Sequence, residues 1–372
     1  MAGIYIHIPF CKQACNYCNF HFSTSLKQKD EFIAALIKEI SLTPTIEENN
    51  NIETLYFGGG TPSILDTDDL QQVFDALQKK FVFANDIEIT LEANPDDINA
   101  EKLKDWKIIG INRFSIGIQS FLNEELIWMN RAHNAEESIK CIDLVKDAGF
   151  DNFSVDLIYG SPLLSNDDWK RNVDIIIEKK IPHISCYALT VEPETALDKQ
   201  IAQHKKEPVD PERQAAQFLL LMDWMQKAGY EHYEISNFAK PGIRSKHNSS
   251  YWQQKKYYGF GPSAHSYDGR MRKWNISNNA LYIQSLKNNE LNFEEEILTE
   301  TQILNEYIMT SLRTMEGLNL NTVTNRFGKD KSEKLKMKSE KWQNKVNLID
   351  SSIRLTNEGK LFADGISADL FF

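Results

Sequence analysis

Residues 5–20 read YIHIPFCKQACNYCNF, and this stretch determines how the rest of the chain is interpreted. It opens inside an apolar run, Ile4–Ile8, that has the length and composition of a buried strand. Three cysteines follow on a predicted loop: Cys11, Cys15 and Cys18. Thiolates so close together can converge on one soft metal ion or cluster. The stretch therefore predicts a strand with a metal-binding loop at its end.

The number of thiols favours one kind of centre. Three cysteines leave one iron of a four-iron, four-sulfur ([4Fe-4S]) cluster without a protein ligand, whereas electron-transfer clusters have four. The alternatives are a structural zinc site completed by His7 or His21, and three unrelated buried thiols. Cys141 and Cys186 lie among apolar neighbours and are predicted to be core residues.

The strand before the cysteines is the first of six similar runs. These apolar, β-rich runs are Ile4–Ile8, Thr54–Phe57, Ile87–Leu91, Arg113–Ile118, Phe153–Ile158 and His183–Leu189. Segments with helical spacing separate them, which implies parallel strands joined by right-handed crossovers. The predicted fold class is α/β, either a β/α barrel or an open doubly wound sheet.

The alternation ends near residue 230, and the chain is predicted to divide there. Residues 1–230 hold the β/α units, and residues 231–294 form a basic, aromatic connecting region of loops and short strands. Residues 295–372 are predicted to be a small helical domain. It has a lysine-rich helix over Asp330–Lys345 and a wing-like hairpin over Val346–Leu355.

Composition excludes several classes of protein. Of the 372 residues, 41% are apolar and 26% charged, which is the balance of a globular chain and not of a disordered or fibrous one. The net charge of −11 gives no overall attraction for nucleic acid. The sequence has neither a run of ~18 apolar residues nor the features of a signal peptide. We therefore expect a reduced, cytoplasmic protein.

A glycine segment, FGGGTP at residues 57–62, ends the second predicted strand. Consecutive glycines let the backbone approach a ligand closely and present unhindered N–H and C=O groups. Polar residues recur at or near the ends of later strands, where a barrel places its site: Glu92, Gln119, Arg131 and Asp156. Each alone could be a solvated residue or a helix cap, but together they indicate a shared site.

The cysteine spacing and the glycine segment resemble those of the radical S-adenosylmethionine (SAM) superfamily. The resemblance implies a partial (β/α)6 TIM-like barrel of the radical SAM type with a small C-terminal helical, winged-helix-like domain. It implies a [4Fe-4S] cluster bound by Cys11, Cys15 and Cys18. Segments along essentially the whole chain are similar to oxygen-independent coproporphyrinogen III dehydrogenase (HemN) and its relative, the HemW haem chaperone: YIHIPFCKQACNYCNF, YFGGGTPS, LEANPDD, GIQSF, NRAH, DLIYG, YEISNFA and HNSSYW.

The same resemblance implies roles for individual residues. Positions that contact a first SAM molecule in the family correspond to Tyr5, Gly59 and Glu92. Positions assigned to a second SAM molecule in the dehydrogenase correspond to Tyr17, Gly60, Thr61, Gln119, Arg131 and Asp156.

Three features favour the chaperone over the dehydrogenase. Phe20 stands where the dehydrogenase has a fourth cysteine, and only ten residues precede Cys11, where the dehydrogenase has a long extension. HNSSYW at His247–Trp252 matches the HNxxYW signature of the chaperone. The resemblance implies delivery of haem to haem-requiring, respiratory client proteins, with homodimerisation and peripheral membrane association. The alternative is decarboxylation of coproporphyrinogen III propionates by a 5′-deoxyadenosyl radical.

A basic, aromatic stretch surrounds HNSSYW. Between Lys240 and Lys273 there are eight basic residues against one acid, Asp268, interleaved with aromatic residues and with His247 and His265. Aromatic rings suit the face of a porphyrin, cations suit its propionates, and an imidazole can ligate haem iron. The alternatives are a nucleic-acid surface, an acidic lipid surface and a solvated loop. We favour haem, with His247 as the candidate ligand.

Overall fold

The computed structural model describes residues 2–45 and 51–372. Six parallel strands lie side by side in chain order, and helices connect them. The first three units are β1 (Ala2–Ile8), α1 (Lys29–Leu42), β2 (Asn51–Gly59), α2 (Thr67–Lys80), β3 (Val82–Ala93) and α3 (Ala100–Ile108). The next three are β4 (Arg113–Gln119), α4 (Asn123–Trp128), α5 (Ala135–Asp147), β5 (Phe153–Tyr159), α6 (Asn166–Glu178) and β6 (His183–Ala188).

Parallel neighbours in sequential order are the topology of a β/α barrel, whereas a doubly wound sheet reverses its strand order. Each of the six apolar runs coincides with one of β1–β6. The predicted α/β class and the partial six-stranded barrel are confirmed. The carboxyl ends of all six strands lie at one end of this barrel, and the cysteine loop follows β1 there.

Local sequence explains several helix ends. α2 begins after Asp66, whose side chain forms a capping box with Asp69. α5 is followed by Gly149, whose φ of 75° suits the left-handed residue after a helix. The second helix after β6 begins with Pro211. Proline suits the first position of a helix, because the N–H group that it lacks would have no hydrogen-bond partner within the helix there.

Short strands extend both edges of the parallel sheet, so that among the described strands β1 and β6 do not pair with each other. The elements of this part of the chain are α7 (Ala196–Ala202), α8 (Pro211–Lys227), β7 (Glu231–Glu234), β8 (Asn237–Ala239), α9 (Lys246–Trp252), β9 (Tyr257–Phe260), β10 (His265–Tyr267), β11 (Met271–Asn275), α10 (Asn279–Lys287) and β12 (Phe293–Ile297). β9 pairs in parallel with β1, and β8 pairs antiparallel with β6.

The HNSSYW segment is a helix and not the loop that its composition suggested. It belongs to α9, which begins after Ser245, whose side chain accepts a hydrogen bond from the Asn248 N–H. The carboxylate of Glu88 on β3 accepts hydrogen bonds from the N–H groups of Lys246 and His247. Because Glu88 is distant in sequence, periodicity gave no sign of this support.

A second hydrophobic cluster lies within residues 304–370. Its elements are α11 (Glu300–Leu312), β13 (Leu318–Asn319), α12 (Leu320–Phe327), α13 (Lys329–Ser339), β14 (Val346–Ile349), β15 (Ser352–Leu355), α14 (Asn357–Lys360) and α15 (Ala363–Leu370). β14 and β15 form the predicted hairpin. The predicted domain limits at residues 230 and 294 stay predictions.

The lysine-rich helix is shorter than predicted. α13 ends at Ser339 and a 3-10 turn, Glu340–Trp342, follows it, whereas the sequence predicted one helix to Lys345. The difference arises because Trp342 packs against the C-terminal hydrophobic cluster, which redirects the chain before β14. No helix among the described residues is both long enough and apolar enough to cross a membrane.

Candidate functional site

A cavity of about 440 Å³ opens at the carboxyl ends of the parallel strands. Its walls are the cysteine loop after β1, the glycine segment after β2 and the ends of β3–β6. Most of the predicted site residues line it: Cys11, Cys15, Tyr17, Cys18, Gly59, Gly60, Thr61, Glu92, Gln119, Arg131 and Asp156. The fold therefore brings predicted residues from five successive β/α units to one place.

Backbone hydrogen bonds hold the cysteine loop in place. The Cys11 N–H donates to Ser23 O over 3.0 Å, and the Asn16 N–H donates to Met129 O over 3.0 Å. All three thiols are free and partly exposed. Burial raises the pKa of the Cys11 thiol to about 11 and also raises the pKa of Cys18, and the neighbouring thiols act in the same direction. Cations or a metal cluster would offset this cost of forming thiolates.

The donor set at the cavity fits a [4Fe-4S] cluster. Three soft thiolates line the cavity, and the buried Arg131 Nε there has no hydrogen-bond partner among the described residues. Within the described part of the chain, no group of three or more His, Cys, Asp or Glu side chains could hold a single metal ion. In a four-iron cluster each thiolate binds a different iron, so its ligands need not meet at one point.

The two histidines considered as a fourth zinc ligand have other partners. His7 Nε2 is hydrogen-bonded to His21 O over 2.9 Å, and its Nδ1 is hydrogen-bonded to Tyr5 OH over 3.2 Å. His21 Nε2 is hydrogen-bonded to Asn279 Oδ1 over 2.7 Å. Burial lowers the pKa of His7 to about 4, so its ring is neutral near pH 7. These contacts give both imidazoles structural roles beside the cysteine loop.

The glycine segment packs against the cysteine loop. The N–H groups of Gly60 and Thr61 donate to Ile8 O and Phe10 O over 2.8 and 2.6 Å. A Cβ at Gly60 would lie 2.5 Å from Phe10 O, which no side chain tolerates. The N–H groups were expected to be open to a ligand, but the structure uses them to join two loops. The missing side chains therefore serve close packing as well as ligand approach.

Glu92 is held by two hydrogen bonds at the floor of the cavity. Its Oε1 accepts from Tyr56 OH over 2.7 Å, and its Oε2 accepts from the Gly59 N–H over 3.1 Å. Burial raises the pKa of Glu92 to about 7, and burial likewise raises that of Asp156 to about 6. A buried carboxylate without a cationic partner favours a positively charged ligand, because the ligand's charge stabilises the ionised form.

Arg131 connects the cysteine loop with strands β3 and β4. Its Nη1 donates to Cys15 Sγ over 3.2 Å, and its Nη2 donates to Asn94 Oδ1 and Gly117 O over 2.7 Å each. Asn94 lines the cavity and was missed from the sequence, although it directly follows Glu92 and Ala93 at the end of β3. Gln119 has a φ of 69° where the β4–β5 register shifts, so the irregular strand end sets its position in the cavity wall.

Tyr5 and His247 do not line the cavity. Tyr5 lies beneath it on β1, with its ring stacked against Tyr56. His247 is only 1% exposed and lies nearer the beginning of β2, where its Nδ1 is hydrogen-bonded to Thr54 Oγ1 over 2.8 Å. Its Nε2 is hydrogen-bonded to Tyr251 OH over 2.9 Å. Both ring nitrogens are therefore occupied.

The basic, aromatic stretch is spread over several surfaces. Four of its cations pair with acids on other elements: Arg244 with Glu231 and Glu316, Lys246 with Asp86, Lys255 with Glu53, and Arg272 with Glu306. Its aromatic residues Tyr258, Phe260 and Tyr267 are buried. For these residues, the local excess of basic side chains in the sequence therefore reflects ion pairing with acids on other elements.

Two family models match the sequence. The model described as Radical SAM superfamily matches residues 5–176, and the model described as HemN C-terminal domain matches residues 298–362. The first range contains the cysteine loop, the glycine segment, Glu92, Arg131 and Asp156.

Individual relatives match over most of the chain. The “Heme chaperone HemW” of Bacillus subtilis is 32% identical over 98% of this chain and 98% of its own length. The “Heme chaperone HemW” of Escherichia coli is 35% identical over 71% of this chain and 69% of its own length. Among solved structures, coproporphyrinogen III oxidase (HemN) of Escherichia coli, described as a radical SAM enzyme, superposes with a TM-score of 0.84. At 21% identity over 100% of this chain and 90% of the other, this likeness shows a shared fold.

Proposed function

Because this chain belongs to the HemW family within the radical SAM superfamily, we propose that it binds haem and delivers it to haem-requiring proteins. Membership of the superfamily implies a [4Fe-4S] cluster and SAM. The observation that carries the proposal is the similarity to “Heme chaperone HemW” along almost the whole of both chains. The three thiols gathered at one cavity support it.

Cys11, Cys15 and Cys18 would hold the cluster. When bound, the cluster would offer an iron without a protein ligand and would act as a one-electron reductant. Glu92 would bind the ammonium group of SAM, since its carboxylate is buried, is fixed by two hydrogen bonds and forms no ion pair with a cationic side chain among the described residues. Cys15→Ala is expected to lose most of the iron and sulfide of the anaerobically purified protein. Recovery of one zinc per chain, with failed cluster reconstitution, would contradict this assignment.

Phe20 supports a carrier over a decarboxylase. It lines the cavity and is 67% exposed, so it offers apolar surface at the position where the dehydrogenase has a further thiol. A decarboxylase must enclose a reduced, flexible tetrapyrrole, whereas a carrier holds finished haem reversibly. We therefore expect haem binding without conversion of coproporphyrinogen III.

The deciding experiment is anaerobic incubation of the cluster-loaded protein with coproporphyrinogen III, SAM and a chemical reductant, followed by product analysis. A parallel sample is loaded with haem and mixed with a haem-free respiratory acceptor protein. Haem transfer without the divinyl product is the expected result. Sustained formation of the divinyl product would contradict the proposed haem carrier and support the dehydrogenase reaction.

The prediction that His247 ligates haem iron would require its bonds to Thr54 and Tyr251 to break. A haem titration of His247→Ala beside Lys255→Ala tests it. If His247 is the ligand, His247→Ala changes the absorption spectrum of bound haem. Lys255→Ala should leave the spectrum unchanged, because Lys255 contributes only an exposed ion pair worth ~0–1 kcal/mol.

A further inference from the structure

We propose that His247 is a positioning residue for SAM binding: it supports the ring of Tyr56, whose hydroxyl group orients Glu92 at the floor of the cavity. The HNSSYW helix would then form the base of the cofactor site. This inference rests on the proposed binding of SAM beside Glu92. Four steps of contact connect the helix to the cavity.

The first step fixes the helix to the barrel. Glu88 is 4% exposed, and its carboxylate accepts hydrogen bonds from the N–H groups of Lys246 and His247 over 3.0 and 2.9 Å. Glu88 and Glu92 lie four residues apart on β3, so both point to the same face of the strand. One carboxylate thus seats α9, and the other faces the cavity.

The second step fixes the imidazole. Burial lowers the pKa of His247 to about 3, so the ring is neutral and has one donor and one acceptor nitrogen. Thr54 and Tyr251 each supply a hydroxyl group, which can take either role. Gly3 lies against this pair, and a Cβ there would come 2.8 Å from Thr54 Oγ1. The backbone of β1 therefore leaves space for this hydrogen bond.

The third step places Tyr56. Its ring stacks on the His247 ring with centroids 4.9 Å apart and an angle of 23° between the planes. It also stacks against Tyr5, with centroids 6.1 Å apart. A Cβ at Gly58 would lie 2.8 Å from the Tyr56 ring and 3.0 Å from the Glu92 carboxyl group. The rings of His247 and Tyr5 and the close backbone at Gly58 therefore fix the position of the Tyr56 ring.

The fourth step is the 2.7 Å hydrogen bond from Tyr56 OH to Glu92 Oε1. This hydrogen bond stabilises the ionised form of Glu92 and lowers its pKa, whereas burial destabilises the ionised form and raises the pKa. The titratable groups whose charges act on Glu92, or are acted on by it, lie on several elements: Tyr5, Cys18, Tyr56, Asp156, Tyr187 and Tyr251. Among them, Tyr56 is the one that donates a hydrogen bond to Glu92.

The test measures SAM affinity by equilibrium dialysis on cluster-loaded, anaerobic protein over a range of pH. His247→Ala should weaken binding about tenfold or more, the size expected for losing one hydrogen bond to a charged group. Tyr56→Phe should weaken it similarly, and both should move the pH midpoint of binding upwards. The double variant should be no weaker than Tyr56→Phe alone, because both residues act through one contact.

His183→Ala is the matched control. His183 is another buried barrel histidine, hydrogen-bonded to Tyr233 OH over 2.7 Å, and within the described part of the chain it forms no hydrogen bond or ring contact with Tyr56 or Glu92. It should lose stability but keep the SAM affinity and the pH midpoint. If His247→Ala does not fold, Thr54→Val and Tyr251→Phe each remove one hydrogen bond of the imidazole and should move affinity in the same direction.

Two outcomes overturn the inference. One is an unchanged SAM affinity and pH midpoint in His247→Ala with the cluster intact. The other is a full, additive loss in the double variant. Failure of the wild-type protein to bind SAM at all would instead overturn the proposed cofactor, and this result is distinct because it does not depend on any substitution.

Discussion

Arg131 illustrates how the surroundings of one residue define its chemistry. By resemblance it would contact a second SAM molecule, but in the structure its guanidinium donates to Cys15 Sγ and is anchored by Asn94 and Gly117. A fixed cation and a hydrogen bond at a thiolate both stabilise added negative charge. Arg131 is therefore placed to favour the reduced state of the cluster that Cys15 would bind.

Arg131→Met should make the reduction potential of the cluster more negative by about 60 mV, which is a tenfold change in a one-electron equilibrium. A potentiometric titration followed by electron paramagnetic resonance measures it. Lys255→Met is the control, because Lys255 pairs with Glu53 at another part of the molecule. An unchanged potential in a cluster-loaded Arg131→Met protein would contradict this role.

The proposed contact between Glu92 and the ammonium group of SAM predicts a pH dependence of SAM binding. Its pKa of about 7 lies above the usual value because the carboxyl group is buried, so the proton remains bound until near-neutral pH. Only the ionised form attracts an ammonium group. Affinity should therefore be highest above pH 7 and fall by up to about tenfold per pH unit below it. Glu92→Gln should bind weakly with a flatter pH profile, and an equally steep profile in this variant would assign the titration to another group.

At the scale of elements, the end of β2 and the cysteine loop act as one unit. The N–H groups of Gly60 and Thr61 donate to the carbonyl oxygens of Ile8 and Phe10, which lie three residues and one residue before Cys11. The position of the thiols thus depends on the glycine segment. Sequence motifs that look like separate binding loops share their backbone hydrogen bonds here.

Gly60→Ala should reduce the iron content of the purified protein, because its Cβ would displace Phe10 O and the loop behind it. Iron and sulfide assays on anaerobic protein measure the loss. Gly365→Ala is the control: Gly365 lies in α15, and nothing would lie within 4 Å of its Cβ. Full cluster occupancy in Gly60→Ala would show that the loop adjusts independently of β2.

At the scale of the whole molecule, a few contacts join the barrel strands to the C-terminal helices. Glu234, the last residue of β7, is 1% exposed and pairs with Arg313 at the end of α11 over 3.0 Å. The Met315 N–H donates to Tyr233 O, and the Ile235 N–H donates to Arg313 O. Arg313 also lies over the ring of Trp252, the last residue of HNSSYW. The motif helix therefore touches both the barrel interior and the C-terminal region.

Arg313→Ala should lower the free energy of unfolding by about 2–3 kcal/mol, because the buried carboxyl group of Glu234 would lose its salt-bridge partner and keep only its hydrogen bonds from the Ser236 N–H and the Asn237 side chain. Denaturant unfolding measures the change. Arg171→Ala is the control, since Arg171 is 71% exposed and its pair with Asp168 contributes ~0–1 kcal/mol. Equal effects of the two substitutions would show that the Glu234–Arg313 pair does not stabilise the contact between the barrel and the C-terminal helices.

Features that depend on neighbouring residues could be predicted from the sequence. Apolar periodicity located β1–β6, because this signal acts within one or two turns of chain. For the same reason, the local residues Asp66 and Gly149 suffice to explain the helix ends that the structure shows there. The cysteine spacing and the strand ends also indicated the cavity, since parallel strands bring their carboxyl ends together.

The partners of those residues depend on how distant elements pack together. Arg131 reaches Cys15 across 116 positions, Glu88 seats His247 across 159, and Lys255 pairs with Glu53 across 202. Each contact needs two strands or helices to pack in a particular register, and that register follows from the whole core and not from local pattern. For this reason the basic stretch read as one surface and HNSSYW read as a loop, whereas the fold pairs the first with distant acids and sets the second beneath the cavity.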